Sequence, residues 1–135
     1  MSRYVYTPHP HFPVGMPLIE LRLANAAYRT TASALVDSGA ALNILPFDIG
    51  IELGLNWEQQ TFSLDLGGTL SGTQAYAVLL KAELAPFEPV DLAFAWVARS
   101  SSNVRLLLGQ VNFFQVFDVH FYGQQQMFEI ALHTG

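Results

Sequence analysis

The chain has 135 residues, enough for one domain, with 51% hydrophobic and 13% charged residues; the charged share is about half that of an average soluble domain. Six Lys+Arg against eleven Asp+Glu give a net charge of −5, and Lys81 is the only lysine. No basic cluster is available to release counterions from a phosphate backbone, so nucleic acid is not an expected partner. Cysteine is absent, which removes disulfides, thiolate metal sites and a cysteine nucleophile. The apolar content suffices to offset the entropy of ordering a core, and with so few charges to coat the outside, part of the apolar surface is expected to meet a second chain. No apolar run approaches the roughly 18–20 residues of a membrane span. The N-terminal stretch Met1-Ser2-Arg3-Tyr4-Val5-Tyr6-Thr7-Pro8 lacks the apolar centre of a signal peptide. A soluble chain is expected, its compartment left open with the cytoplasm preferred.

Pro8, Pro10, Pro13, Gly15 and Pro17 punctuate the start, so residues 1–16 read as an irregular or extended arm before a single domain over residues 17–135. From Leu18 to Leu23 the pattern alternates, with Ile19, Leu21 and Leu23 on the apolar side, as in a half-buried strand. A turn near Asn25-Ala26 precedes a return run, Tyr28 to Ala32, and the short apolar strand Ala34-Leu35-Val36 ends at Asp37-Ser38-Gly39. Phe47–Leu53 has helical spacing weakened by Gly50 and is closed by Gly54. Thr61–Leu66 and Gln74–Leu84 read as strands joined by the glycine-rich tip Gly67-Gly68-Thr69-Leu70-Ser71-Gly72. After the break at Pro86–Pro89 come an apolar strand at Val90–Val97 and a polar loop at Arg99–Asn103. The triplet Leu106-Leu107-Leu108 then runs into Gly109, and a helix is expected over Gln110–Phe117. Alternation at Phe117, Val119 and Phe121, and again at Phe128, Ile130 and Leu132, marks a second hairpin turning at Gly123-Gln124. Short strands, one or two short helices and no linker predict a mainly β, barrel-like or sandwich domain.

The stretch Ala34-Leu35-Val36-Asp37-Ser38-Gly39-Ala40 carries the chemistry. A carboxylate directly after a buried strand is held in place; a following hydroxyl can lock its loop, and glycine lets the backbone turn tightly. Alone, Asp-Ser-Gly is an ordinary turn tripeptide. Together with Gly67–Gly72 and with Leu107-Leu108-Gly109 preceding Gln110–Phe114, in that order and spacing, it resembles the retropepsin-like (retroviral-type) aspartic proteases over roughly Pro17 to Leu132. The resemblance implies a mainly β, single-domain acid-protease barrel with one or two short helices and a glycine-rich flap hairpin. It makes Asp37 the catalytic carboxylate, Ser38 the hydroxyl that hydrogen-bonds across the active-site loops, and Gly39 the point of close approach. Ala40, Gly67, Gly68, Thr69 and Leu108 are implied to meet substrate, with Gly67 and Gly68 at or near the flap tip. Leu107, Leu108 and Gly109 are implied to pack behind the loop.

Peptide hydrolysis by this route needs two carboxylates sharing one proton around a lytic water, because like charges about 3 Å apart cannot both ionise. Of Asp37, Asp48, Asp65, Asp91 and Asp118, only Asp37 lies in an Asp-Ser/Thr-Gly loop. The second carboxylate is therefore expected from Asp37 of another chain, in a C2 homodimer acting as an aspartic endopeptidase on a peptide or protein substrate. The alternative is a catalytically silent domain of the same fold used for binding or self-assembly. A flap also has to open and close, which calls for positions free in φ and ψ; the plainer reading of those glycines is a surface turn. Leu35, Leu66, Leu70, Tyr76 and Val78 are candidate walls of an apolar cleft.

His9-Pro10-His11 has no nearby acidic residue and reads as arm sequence, so no metal and no cofactor are expected. His120 should face solvent or an interface. A triad built on Ser38 lacks the Gly-x-Ser-x-Gly elbow, and no phosphate-cradling Gly-Lys-Ser/Thr follows Gly67-Gly68. Phe113, Phe114, Phe117, Phe121 and Phe128 read as core or dimer interface.

Overall fold

The computed structural model describes residues 1–134. The alternation at Leu18–Leu23 becomes β2 (Leu18–Asn25), which presents Ile19, Leu21 and Leu23 to the core at 1–6% exposure. A two-residue turn with Ala26 at φ 52° reverses the chain into β3 (Tyr28–Val36), paired antiparallel with β2 from Asn25↔Tyr28 to Leu18↔Leu35. The return run and the apolar triplet, expected as two pieces, are one nine-residue strand, because the ladder to β2 continues unbroken through Ala32↔Leu21 and Ser33↔Glu20.

β4 (Ile44–Leu45) and the short helix α1 (Phe47–Glu52) follow, with Gly54 at φ 72° just beyond the helix end. The first glycine-rich hairpin pairs β5 (Ser63–Leu64) with β6 (Ala75–Glu83), and β6 then pairs along its length with β7 (Val90–Val97). β5 is shorter than the expected Thr61–Leu66, since the ladder to β6 holds only at Ser63↔Tyr76 and Leu64↔Ala75. β8 (Leu106–Leu108) lies parallel to β3 on one side and antiparallel to β4 on the other. The order β2-β3-β8-β4-β7-β6 closes into a six-stranded barrel through Leu23↔Ala82 and its neighbours. Closure leaves little unpaired edge. Leu21, Leu80, Leu92, Phe94 and Trp96, each no more than 2% exposed, fill its core.

The helix expected over Gln110–Phe117 contracts to α2 (Phe113–Val116), and from Phe117 the chain is already extended as β9 (Phe117–Tyr122). β9 pairs with β10 (Met127–Leu132), and the arm supplies β1 (Ser2–Val5) as the third strand, Ser2↔Ile130 to Val5↔Met127. The proline-rich part of the arm is looped out and tied at its base by reciprocal backbone bonds between Thr7 and Met16, both 2.8 Å. Tyr4 stacks on Phe128 at 5.3 Å, and Phe113, Phe117 and Phe128 are fully buried, so three of the five phenylalanines are core. Phe114 packs partly buried against that core, whereas Phe121 is 38% exposed. His120 faces solvent. No helix among the described residues is long and apolar enough to cross a membrane.

Candidate active site

Asp37 stands one residue beyond β3. Its N–H donates to the Leu108 carbonyl at 2.9 Å, adding a rung to the parallel β3–β8 ladder that ends at Val36↔Leu108. The carboxylate is thus carried on two central strands, half-buried at the barrel's end. Its Oδ1 accepts the Gly39 N–H at 2.9 Å, and its carbonyl accepts the Ala40 N–H at 3.1 Å. These two bonds fold Asp37–Ala40 into a tight turn, which is what the Asp-Ser-Gly order favours locally. Among the described residues no protein donor reaches Oδ2, leaving that oxygen open to a water or a substrate.

A second segment clamps the turn from behind. Gln110 Nε2 donates to the Ser38 carbonyl at 2.7 Å, and the Gln110 and Val111 N–H groups donate to the Ala40 and Ala41 carbonyls, both at 2.9 Å. A Cβ on Gly109 would fall 2.5 Å from the Leu42 carbonyl oxygen and 2.7 Å from that of Ala40, so the two loops approach closely only because residue 109 has no side chain. Asn43, fully buried, is the polar pin of this arrangement. Its Oδ1 accepts the Gly109 N–H at 2.7 Å, while its Nδ2 donates to the Ala93 carbonyl at 2.9 Å and to Asn112 Oδ1 at 3.1 Å. Asn112 Oδ1 also accepts the Ala93 N–H at 3.0 Å. One side chain thereby joins β7, β8 and the segment leading into α2 at the back of the Asp37 loop.

In front of Asp37 is a cavity of about 570 Å³. Gly39, Ala40 and Ala41 form its floor beside the carboxylate, and Leu42, Ile44 and Leu107 one apolar wall. Asp65, Leu66, Gly67, Gly68, Thr69 and Leu70 face them from the hairpin. Gly68 and Gly72 have φ of 62° and 80°, in the left-handed region that glycine enters at no steric cost. Gly67, Gly68 and Gly72 have nothing within 4 Å of a would-be Cβ, so these three positions are unpacked, while Leu66 and Leu70 rest against the core cluster of Ile44, Ala75, Ala95 and Val97. The charged residues lining the cavity are Asp37 and Asp65, with no Lys, Arg or His beside them.

Of the residues expected at the site, Asp37, Gly39, Ala40, Gly67, Gly68 and Thr69 therefore meet around one cavity. Ser38 is exposed at the turn and its hydroxyl has no partner among the described residues; only its carbonyl is held, by Gln110. Leu108 is the correction: expected against substrate, it is fully buried in the core, and Leu107 takes the cavity-facing position. Adjacent residues of a strand point to opposite faces, and a leucine triplet does not disclose which face each takes. Leu66 and Leu70 line the cavity as expected, whereas Val78 is buried in the core and Tyr76 packs edge-on to Trp57 at 4.7 Å. Leu35, also expected on a cleft wall, lies in the ladder opposite Leu107 and does not line the cavity. Among the described residues, no group of three or more His, Cys, Asp or Glu is placed to hold a metal.

No protein-family model matches the chain, and no curated protein matches it in sequence. Among solved structures it is similar to the crystal structure of a retropepsin-like aspartic protease from Rickettsia conorii, with a TM-score of 0.66 at 11% identity, over 94% of this chain and 88% of that one. The order of strands about the Asp37 turn and the backbone likeness agree: the chain adopts the retropepsin-like aspartic protease fold.

Proposed function

We propose that the chain is an aspartic endopeptidase whose active site forms when the Asp37 turns of two identical chains meet on a twofold axis. The observation that carries this reading is a half-buried carboxylate with one unclaimed oxygen, rigidly mounted between two central strands, at the floor of an apolar cavity faced by a glycine-rich hairpin. One carboxylate cannot both take a proton from water and give one to the scissile carbonyl in the same step. Asp65, the other acid at the cavity, stands on the hairpin and not in a second Asp-Ser/Thr-Gly turn. The reading therefore takes the second carboxylate from a partner's Asp37, which gives a C2 dimer.

In that arrangement the two carboxylates hold one proton between them. The ionised one draws a proton from the water as its oxygen attacks the peptide carbonyl carbon. The protonated one donates to the carbonyl oxygen, giving a neutral gem-diol. Proton transfer to the amide nitrogen then releases amine and acid. The Asn43, Gly109 and Gln110 contacts serve this chemistry by fixing the turn, since a catalytic group already in position does not have to reorganise in the transition state. The hairpin supports the reading as a lid: its tip glycines are free of packing and can yield to an extended peptide. A peptide in the cleft adds main-chain hydrogen bonds in the manner of an extra strand.

The test is hydrolysis of a peptide library by the unaltered chain and by Asp37→Asn. The reading expects acid-favoured cleavage by the first and none by the second, with both equally folded. Equal turnover by the two proteins rejects it.

A further inference from the structure

One charged group in the cavity has no part in this chemistry. Asp65 stands at the start of the hairpin loop, next to Leu66, and among the described residues it makes no hydrogen bond or salt bridge. The other aspartates outside the site are all engaged: Asp48 with Ser101, Asp91 with Lys81 and Asp118 with His133. The chain's one lysine is thus already paired, and no cation borders the cavity. An isolated, exposed carboxylate beside Leu66 and across the cavity from Leu42 matches a side chain with a hydrocarbon stem and a cationic head, the stem lying along leucines while the head stays at the polar rim.

We propose that Asp65 selects a lysine or arginine side chain in a peptide lying across the cavity, its stem against Leu66 and Leu42 and its head at the Asp65 carboxylate. This rests on reading the cavity as a peptide cleft. The preference arises from two sources. A cationic side chain gains an ion pair that strengthens as the bound peptide displaces water from the rim. An acidic one meets Asp65 and Asp37 together and is repelled, so discrimination against glutamate is larger than preference over a neutral side chain. The net charge of −5 acts in the same direction on encounter, drawing basic peptides faster.

Binding is measured by fluorescence anisotropy on Asp37→Asn protein, so that turnover plays no part and the other cavity carboxylate contributes no charge. The probes are three labelled octapeptides of alanine and leucine with a central lysine, norleucine or glutamate. The expected result is that the lysine peptide binds about three- to tenfold tighter than the norleucine peptide, a ratio that shrinks as salt is raised. In Asp65→Asn the ratio falls to about one, and in Asp65→Lys the glutamate peptide binds tighter than the lysine peptide. Equal affinities for lysine and norleucine, a lysine preference that survives Asp65→Asn, or no binding of any probe overturns the proposal. Hydrolysis of the norleucine peptide by the chain with Asp37 intact is scored separately; that result bears on the endopeptidase reading and leaves the selectivity result as it stands.

Discussion

The Oδ1 of Asn43 accepts the backbone N–H of Gly109 at 2.7 Å, a bond between residues 66 apart in sequence and the only one that Gly109 N–H makes among the described residues. Asn43 is fully buried and Gly109 is buried with it, so this bond has no contact with bulk water. Asn43→Ala leaves the Gly109 N–H unpaired, deprives the Ala93 carbonyl of a donor and removes a partner of Asn112. Each orphaned buried group costs about 1–3 kcal/mol, and neighbouring losses are not additive. We expect a destabilisation of about 2–4 kcal/mol in urea unfolding, well above the roughly 1 kcal/mol of an average substitution. A change below about 0.5 kcal/mol would mean that the pin carries no load.

Gly109 tests the same support from the other side. In Gly109→Ala the new methyl meets backbone oxygens of Ala40 and Leu42, and backbone cannot rotate away as a flexible side chain can. The Asp37 turn must shift. Under the endopeptidase reading, a displacement of about 1 Å at the carboxylate lowers kcat/KM by about a hundredfold or more. The far-ultraviolet spectrum should stay close to that of the parent chain, because the ladders of β2, β6 and β7 do not run through this residue. Full activity in Gly109→Ala contradicts the placement of Asp37 against this segment.

Acid sensitivity away from the site centres on Asp48. Burial pushes its carboxyl up, but the Ser101 hydroxyl and amide and the amides of Asp48 and Ile49 more than offset this, so it lies below its ordinary value of 3.8. A carboxyl lowered in the folded state stabilises fully above its unfolded value and loses that stabilisation as pH falls through its folded value. Ser101→Ala therefore costs well under 1 kcal/mol at pH 7, the pair being largely exposed. The difference from the parent chain stays flat down to about pH 4 and narrows below it. Paired unfolding curves from pH 7 to pH 2 read this directly. A gap that widens on acidification would mean the sign is wrong.

Much of the fold is legible because its strands are one-sided. Ile19, Leu21 and Leu23 alternate cleanly with polar residues, and Phe128 and Ile130 do the same in β10; all five are buried. The Asp37 turn is legible because its local chemistry, an acid and a glycine after an apolar strand, is written in consecutive residues. What is hidden depends on pairings distant in sequence. β1 looks like an irregular arm because its partner is β10, with Ser2 opposite Ile130. Asn43 has no marked role in the sequence, and one emerges only when Gly109 and Ala93 are brought to it. Three consecutive leucines give no phase, so Leu107 and not Leu108 faces the cavity, while Leu108 packs in the core behind the loop. The cavity's second acid, Asp65, is one of five aspartates in the chain, and only the cavity singles it out.

The central claim is that one working site takes a carboxylate from each of two chains, and a mixing experiment measures it most directly. Unaltered protein is equilibrated with increasing amounts of Asp37→Asn protein, and hydrolysis is followed at a fixed concentration of the former. If each site needs both aspartates, mixed dimers are silent. Activity then falls to about half at equal amounts and to about one tenth at a ninefold excess, by random exchange of protomers. Activity that stays constant across the titration, with exchange of subunits verified by a label on one partner, would show that a single Asp37 suffices and would contradict the account.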